Sequence, residues 1–249
     1  MRSTFRLALT LILLFSFLIS PATAQTPDDP TSARGGSSLD NTLPLPAGDA
    51  ALTADFSEGF EDITTLPAKG WAQINKSDPV GLTEWFQGNS DVFPAHAGDV
   101  YHYIGANFNN VGGNGTISNW LILPTRWLKH GDKFTFYTRT PTGSIWVDRL
   151  EIRMSDAGDS EDVGVGAFDV GDFDELLLSI NPSLVEGGYP EVWTRYTIEL
   201  ELLQPVVGRL AFRYFVTEGG PAGTNSNYIG IDSVSYEEGP VVYLPSIHK

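Results

Sequence analysis

The stretch Asn227–Tyr236 reads NYIGIDSVSY. Its residues alternate with a period of two, which predicts a β-strand. That period sends Ile229 and Ile231 to one face and Tyr228, Val234 and Tyr236 to the other, so both faces are apolar. Asp232 stands in the middle of the run. A carboxylate in a strand covered on both sides costs free energy unless something pairs with it. Asp232 is therefore the most informative polar residue of a chain otherwise poor in chemistry.

Outward from that strand no long helical period occurs. Short apolar or alternating runs are broken by Gly, Pro, Asn and Asp. The runs predict strands at 55–61, 71–75, 84–87, 101–106, 117–123, 133–139, 149–154, 193–200, 209–216 and 228–236. In 149–154 the core face is Leu150, Ile152 and Met154, and Arg149, Glu151 and Arg153 are expected to face water. In 209–216, Leu210, Phe212, Tyr214 and Val216 oppose Arg209, Ala211, Arg213 and Phe215. Asp172–Ile180 (DFDELLLSI) fits a short helix or a strand equally well. About ten strands with Gly-rich turns imply an all-β, jelly-roll-like sandwich of two antiparallel sheets.

The chain has 249 residues, no Cys and a formal charge of −16. Arg2 and Arg6 precede an apolar run from Leu7 to Ile19, and Ala22-Thr23-Ala24 follows. This is the layout of a secretory signal peptide over 1–24, and the run is shorter than the ~20 residues of a spanning helix. Cleavage after Ala24 takes 15 basic residues to 13 and the charge from −16 to −18. Such a charge argues against nucleic acid and anionic membranes as partners and favours divalent cations. A secreted chain without Cys has no disulfides and must rely on a full-sized core. Residues 25–54, rich in Pro, Ser, Thr, Gly and Asp, read as a linker, 55–238 as the domain, and Gly239–Lys249 (GPVVYLPSIHK) as a tail. Val241–Ile247 is apolar enough to need a partner, either as an edge strand or in self-association.

The pieces fall in a recognisable order. GFEDITTLPAKGW (59–71) is followed by TEWFQG (83–88), YIGANFNN (103–110), ISNWLILP (117–124), KFTFYTRT (133–140) and DRLEIRMS (148–155). GYPEVWTRYTIEL (188–200) and the long run 209–236 complete it. Over about 56–236 the chain resembles the choice-of-anchor J domain and the related cleaved-adhesin domains, which are similar in architecture to MAM-type jelly rolls. The resemblance implies a secreted or surface-displayed, non-catalytic binding or adhesion module. It also implies that the first and last strands lie side by side, and that calcium is a structural cofactor.

On that implication Glu61 and Asp232, with Asp62, become candidate calcium ligands, and Asn107 is a further oxygen donor from the neighbouring loop. The alternative is that these acids accept backbone N–H bonds at bulges or turns. DAGDSED (156–162) lacks the spacing and distal Glu of an EF-hand and reads as a solvated hairpin loop. The Gly-rich stretches 111–116 and 219–227, and the loop 88–96, read as strand connections at the ends of the sandwich, where such folds carry ligands. None of the four His forms a zinc motif. Of the six Trp, Trp71, Trp120 and Trp193 fall inside the motifs and read as core. Trp85, Phe86 and Trp146 remain as candidates for an exposed, ligand-binding platform. No G-x-S-x-G elbow or other hydrolase motif is present. The expected function is binding of an extracellular glycan or protein, and the rivals are a sandwich-fold carbohydrate-active enzyme and a structural envelope component.

Overall fold

The computed structural model describes Leu52 and residues 55–240. The expected signal segment, most of the expected linker and residues 241–249 lie outside the described residues. Leu52, inside the expected linker, already accepts a backbone hydrogen bond from Trp127 at 2.9 Å.

The architecture is a two-sheet antiparallel sandwich. Its strands are β1 (Phe56–Glu58), β2 (Ala72–Asn75), β3 (Asp78–Val80), β4 (Phe86–Gln87), β5 (Ile104–Asn107), β6 (Val111–Ile122) and β7 (Arg126–Leu128). They continue with β8 (Lys133–Arg139), β9 (Leu150–Ser155), β10 (Glu175–Ile180), β11 (Thr194–Glu199), β12 (Val206–Gly219) and β13 (Tyr228–Glu237). One sheet runs β11-β8-β13-β5-β4, with β1 also on β13. The other runs β10-β9-β12-β6-β2, with β3 on β6 and β7 on β12. Among the described residues no helix is long and apolar enough to cross a membrane. The ambiguous run 172–180 is a strand, because Glu175–Ile180 pairs along the outer side of β9.

The two inner faces meet in one core. Leu150, Ile152 and Met154 of β9 and Leu210, Phe212, Tyr214 and Val216 of β12 lie in it, as their alternation predicts. Opposite them are Phe134 and Phe136 of β8 and Ile229 and Ile231 of β13. The reading of β13 needs one correction. Val234 and Tyr236 belong to the same core as Ile229 and Ile231, not to the other face. Ser233 has a φ of 50°, and the register with β8 shifts between Asp232 and Ser235. This β-bulge inserts a residue and reverses the alternation beyond it.

The outer faces are also covered, which overturns a second expectation. Glu151 is buried and Arg153 is half-buried, not solvated. Arg213, opposite Glu151 and Trp120 across its neighbouring strands, is only 1% exposed. The reason is residues 156–174, which cross this sheet and place Val163 and Phe173 on Trp120, Ile122 and Ala211. Arg213 fastens that strap. It donates to the carbonyls of Ala167 (2.6 Å) and Asp169 (3.2 Å) and to Glu151 (3.1 Å) and Ser118 (3.1 Å), and lies over the rings of Trp120 and Phe215. Burial lowers its pKa to about 10, with Glu151 opposing. DAGDSED is thus the start of a covering strap, tied by Arg209 to Glu161 at 2.9 Å. The Gly-rich stretch 111–116 is not a connection either. It is the first half of β6, where Asp78 pairs with Thr116 and Gly219 with Gly115. A Cβ at Gly115 would stand 2.2 Å from the Asp78 carbonyl oxygen, so the close approach of β3 requires glycine.

Replacing Arg213 with Ala strands the Ala167 and Asp169 carbonyls and half of the Glu151 pairing. The expected loss of stability is about 3–5 kcal/mol, read from urea unfolding. A loss of less than about 1 kcal/mol, within the range of a surface substitution, would show that the strap does not depend on it.

Candidate functional site

The other sheet is roofed by residues 88–102. Phe93 packs on Tyr103, Tyr228 and Trp193, and the Trp193 indole donates to the Pro94 carbonyl at 2.9 Å. The His96 ring stacks on Tyr137 with centroids 3.6 Å apart. Asp232 holds this roof down: one carboxylate oxygen accepts the backbone N–H groups of His96 (2.8 Å) and Ala97 (3.1 Å), and the other accepts that of Ser233. Burial raises the Asp232 pKa, and the three N–H donors partly offset it. The loop 88–96 is therefore a cover on a sheet face, not an open ligand loop.

The expected calcium donors are placed as follows. The first and last strands do pair, with Phe56 opposite Tyr236 and Glu58 opposite Val234. Glu58 is the acid buried at that junction, and it accepts from Lys69 at 2.7 Å and from the Phe60 N–H at 2.9 Å. Glu61 is exposed and folds back over Gly59. Asp62 caps a 3₁₀ turn, accepting from the backbone and hydroxyl of Thr64, and these bonds lower its pKa. Asn107 accepts from Thr83 and from the Asn109 N–H. It pairs with Tyr228, four residues from Asp232 along β13, or about 13 Å at strand rise. The four side chains are not brought together on one point. Among the described residues no three or more His, Asp or Glu side chains gather in a metal-binding group.

The platform candidates separate cleanly. Trp85, just before β4, is a core residue at 4% exposure. Phe86 is half-buried with its edge toward Tyr228. Neither can serve as an open platform. Trp146 can: it is 49% exposed on the β8–β9 loop, beside Ile145 at 65%.

Trp146 forms one wall of a pocket of about 190 Å³ at one end of the sandwich. Phe108, Pro221, Ser226 and Asn227 form the rest, with the backbones of Gly220 and Gly223. On the other side of the same indole is a shallow hollow that includes Val185, Tyr189 and Glu191. Three loops meet here, and a buried polar network fixes them. Asp148 is fully buried; it accepts from the Asn227 N–H (2.8 Å), the Tyr214 hydroxyl (2.6 Å) and the Thr140 hydroxyl (2.7 Å). Asn181 donates to the Asp148 carbonyl and ties in the β10–β11 loop. The Ser226 N–H donates to the Val147 carbonyl, and Asn227 donates through its amide to Ser144, whose hydroxyl donates to the Trp146 carbonyl. The indole thus stands on a rigid base, which lowers the entropy lost when a ligand stacks on it. Sequence reasoning found Trp146 and the 219–227 loop, which ends in Asn227, but missed Asp148 and its bond to Asn227. Both lie inside motif-like runs, and their partnership spans 79 residues.

Burial raises the Asp148 pKa to about 6, against the three hydrogen bonds that favour the carboxylate. The folded state therefore holds its proton to higher pH than the unfolded chain, with an ordinary value of 3.8. Stability falls as pH rises through that window, and above it the ionised group costs on the order of 3 kcal/mol. Asn at 148 preserves the network: its oxygen accepts from Tyr214 and Asn227, and its amide donates to the Thr140 oxygen, which leaves the one Thr140 hydroxyl proton for the Tyr228 carbonyl. Asp148→Asn should match the wild type near pH 4 and exceed it above pH 6, by urea unfolding across the range. A difference that does not change with pH would show that Asp148 is not the titrating group.

No family profile matches the chain, and no curated protein matches its sequence. Solved structures do. The K1 cleaved adhesin domain of Lys-gingipain from Porphyromonas gingivalis W83 superposes with a TM-score of 0.51 at 22% identity, over 75% of this chain and 99% of that one. The K2 cleaved adhesin domain of Lys-gingipain gives 0.50 at 20% identity, over 74% and 100%. The chain therefore shares the fold of the cleaved adhesin domains over most of its length, as its motifs suggest.

Proposed function

We propose that the protein is a non-catalytic extracellular binding module that takes a glycan at the Trp146 pocket. The observation that carries this reading is the exposed indole on a hydrogen-bonded base, in a sandwich whose two sheet faces are roofed. An aromatic face offers the apolar side of a sugar ring a flat contact, and the neighbouring amide and backbone groups of Asn227, Gly220 and Gly223 are suited to its hydroxyls. The fold shared with adhesin domains supports a binding role, and the signal-peptide layout supports action outside the cell.

The roofs also weigh against the sandwich-fold enzyme. Such an enzyme places a pair of free carboxylates along its substrate. Here Asp148 is saturated by three donors, Glu191 accepts from the Gly143 N–H, and Glu218 accepts from Thr224.

A glycan array probed with the mature domain tests the reading. Trp146→Ala should weaken binding about tenfold, the worth of one aromatic contact, with an unchanged melting temperature. Binding that is indifferent to Trp146, or no glycan bound at all, would overturn it, and capture of a defined protein ligand instead would reassign the pocket.

Calcium enters this reading only as a stabiliser. An ion held by Asn107 Oδ1 or by Asp232 competes with the hydrogen bonds these oxygens accept, while both Thr64 bonds to Asp62 go to Oδ1 alone. A calcium-dependent rise in melting temperature retains the ion, and superimposed curves in EDTA and excess calcium remove it.

A further inference from the structure

The sandwich is roofed on both faces, yet its core is open along one edge. β10 ends one sheet and β11 ends the other, and among the described residues neither is paired on its outer side. Between them runs a groove of about 520 Å³, more than twice the Trp146 pocket. Leu177, Ile198, Leu202 and Val206 line it and are only partly buried against the core. Leu203 beside them is fully exposed and Leu176 is 45% exposed. The rim carries Asp156, Glu175, Glu199 and Glu201 and no cation. Unpaired edges over an open apolar floor are an aggregation hazard that proteins usually cover.

The described chain ends beside this groove. The Gly239 N–H donates to Asp132 at 2.8 Å, and Pro240 packs on Gly131 at 3.7 Å from where a side chain would start. Gly131 and Asp132 in turn exchange backbone hydrogen bonds with Leu200, which lines the groove. The next nine residues read VVYLPSIHK: mostly apolar, then His248 and Lys249, with no acid. Extended, they reach about 30 Å, against about 20 Å for the six residues of β10. Pro245 is compatible with an edge position, where one side of the strand donates no ladder hydrogen bonds.

We propose that Val241–Lys249 fills this groove in its own chain, as an added edge strand that lays its apolar side chains over Leu177, Ile198, Leu202 and Val206. The exit point, the reach and the apolar match select this segment over a second copy of the chain, whose identical acidic rim would repel it.

Hydrogen exchange tests this on three proteins: the full chain, the full-length variant Leu244→Asp, and a chain stopped after Pro240. The amides of β10 and β11 should exchange about tenfold faster or more in both altered proteins, with β5 and β6 unchanged. Adding the peptide VVYLPSIHK to the shortened chain should restore protection. Equal exchange in all three proteins would overturn the proposal. So would a full-length dimer that becomes monomeric on shortening, since the segment would then serve a neighbouring copy. Glycan binding at Trp146 is expected to be unaffected throughout, so this result and that of the pocket are read independently.

Discussion

Strand β13 is shared by β1, β5 and β8, and it can serve all three only because Ser233 adopts a left-handed backbone. On one side of the bulge Ile229 and Ile231 enter the core, and on the other Val234 and Tyr236 do so. A continuous strand would send one of these pairs outward. The same residue turns the Asp232 carboxylate to the outer face, where it meets the backbone of the 88–102 roof. A left-handed non-glycine residue costs on the order of 1–3 kcal/mol, and the apolar side chains kept inside offset it. Core phase, strand pairing and roof attachment thus share one origin.

The lack of Cys gives this recurring device its place in the fold. Each roof is a long, sparsely apolar loop that cannot hold its place by burial alone. Asp232 grips one through its N–H groups, and Arg213 and Arg209 grip the other through its carbonyls. At the end that carries Trp146, Asp148 plays the same part for three loops. A buried charge with several well-placed partners loses much if any one is removed, so each grip is selective for one loop geometry. Cross-links of this kind do in a disulfide-free sandwich what covalent bridges do elsewhere.

Much of the sandwich was legible in the sequence because its signals are local. The run 133–139 coincides with β8 end to end, and the inward residues of β9 and β12 follow directly from alternation. What alternation misses is anything set by a distant partner. Glu151 and Arg213 look solvated until Phe173 and Val163 cover them from another segment. Val111–Thr116 looks like a loop until β3 and β12 pair with it. The bulge at Ser233 leaves no trace in composition. In the candidate site Trp146 stood out in the sequence together with Trp85 and Phe86, as a candidate for an exposed platform. Its base did not, because Asp148, Ser226 and Asn227 come together only once β9, β12 and β13 are in register.

The roof fastenings also determine where the positive charge goes. Arg126, Arg209 and Arg213 are buried, Arg139, Arg149 and Arg153 are half-buried, and among the described basic residues only Lys69, Lys133 and Arg195 are exposed. Apart from the buried Glu58, Asp132, Asp148, Glu151 and Asp232, the described acids stay largely outside. To its surroundings the molecule is therefore more uniformly negative than its formal charge of −16 conveys. Within a Debye length of about 8 Å it behaves as a small polyanion. It repels other copies of itself and other acidic polymers. The arginines that hold the fold closed thereby act as a charge filter on what reaches its surface.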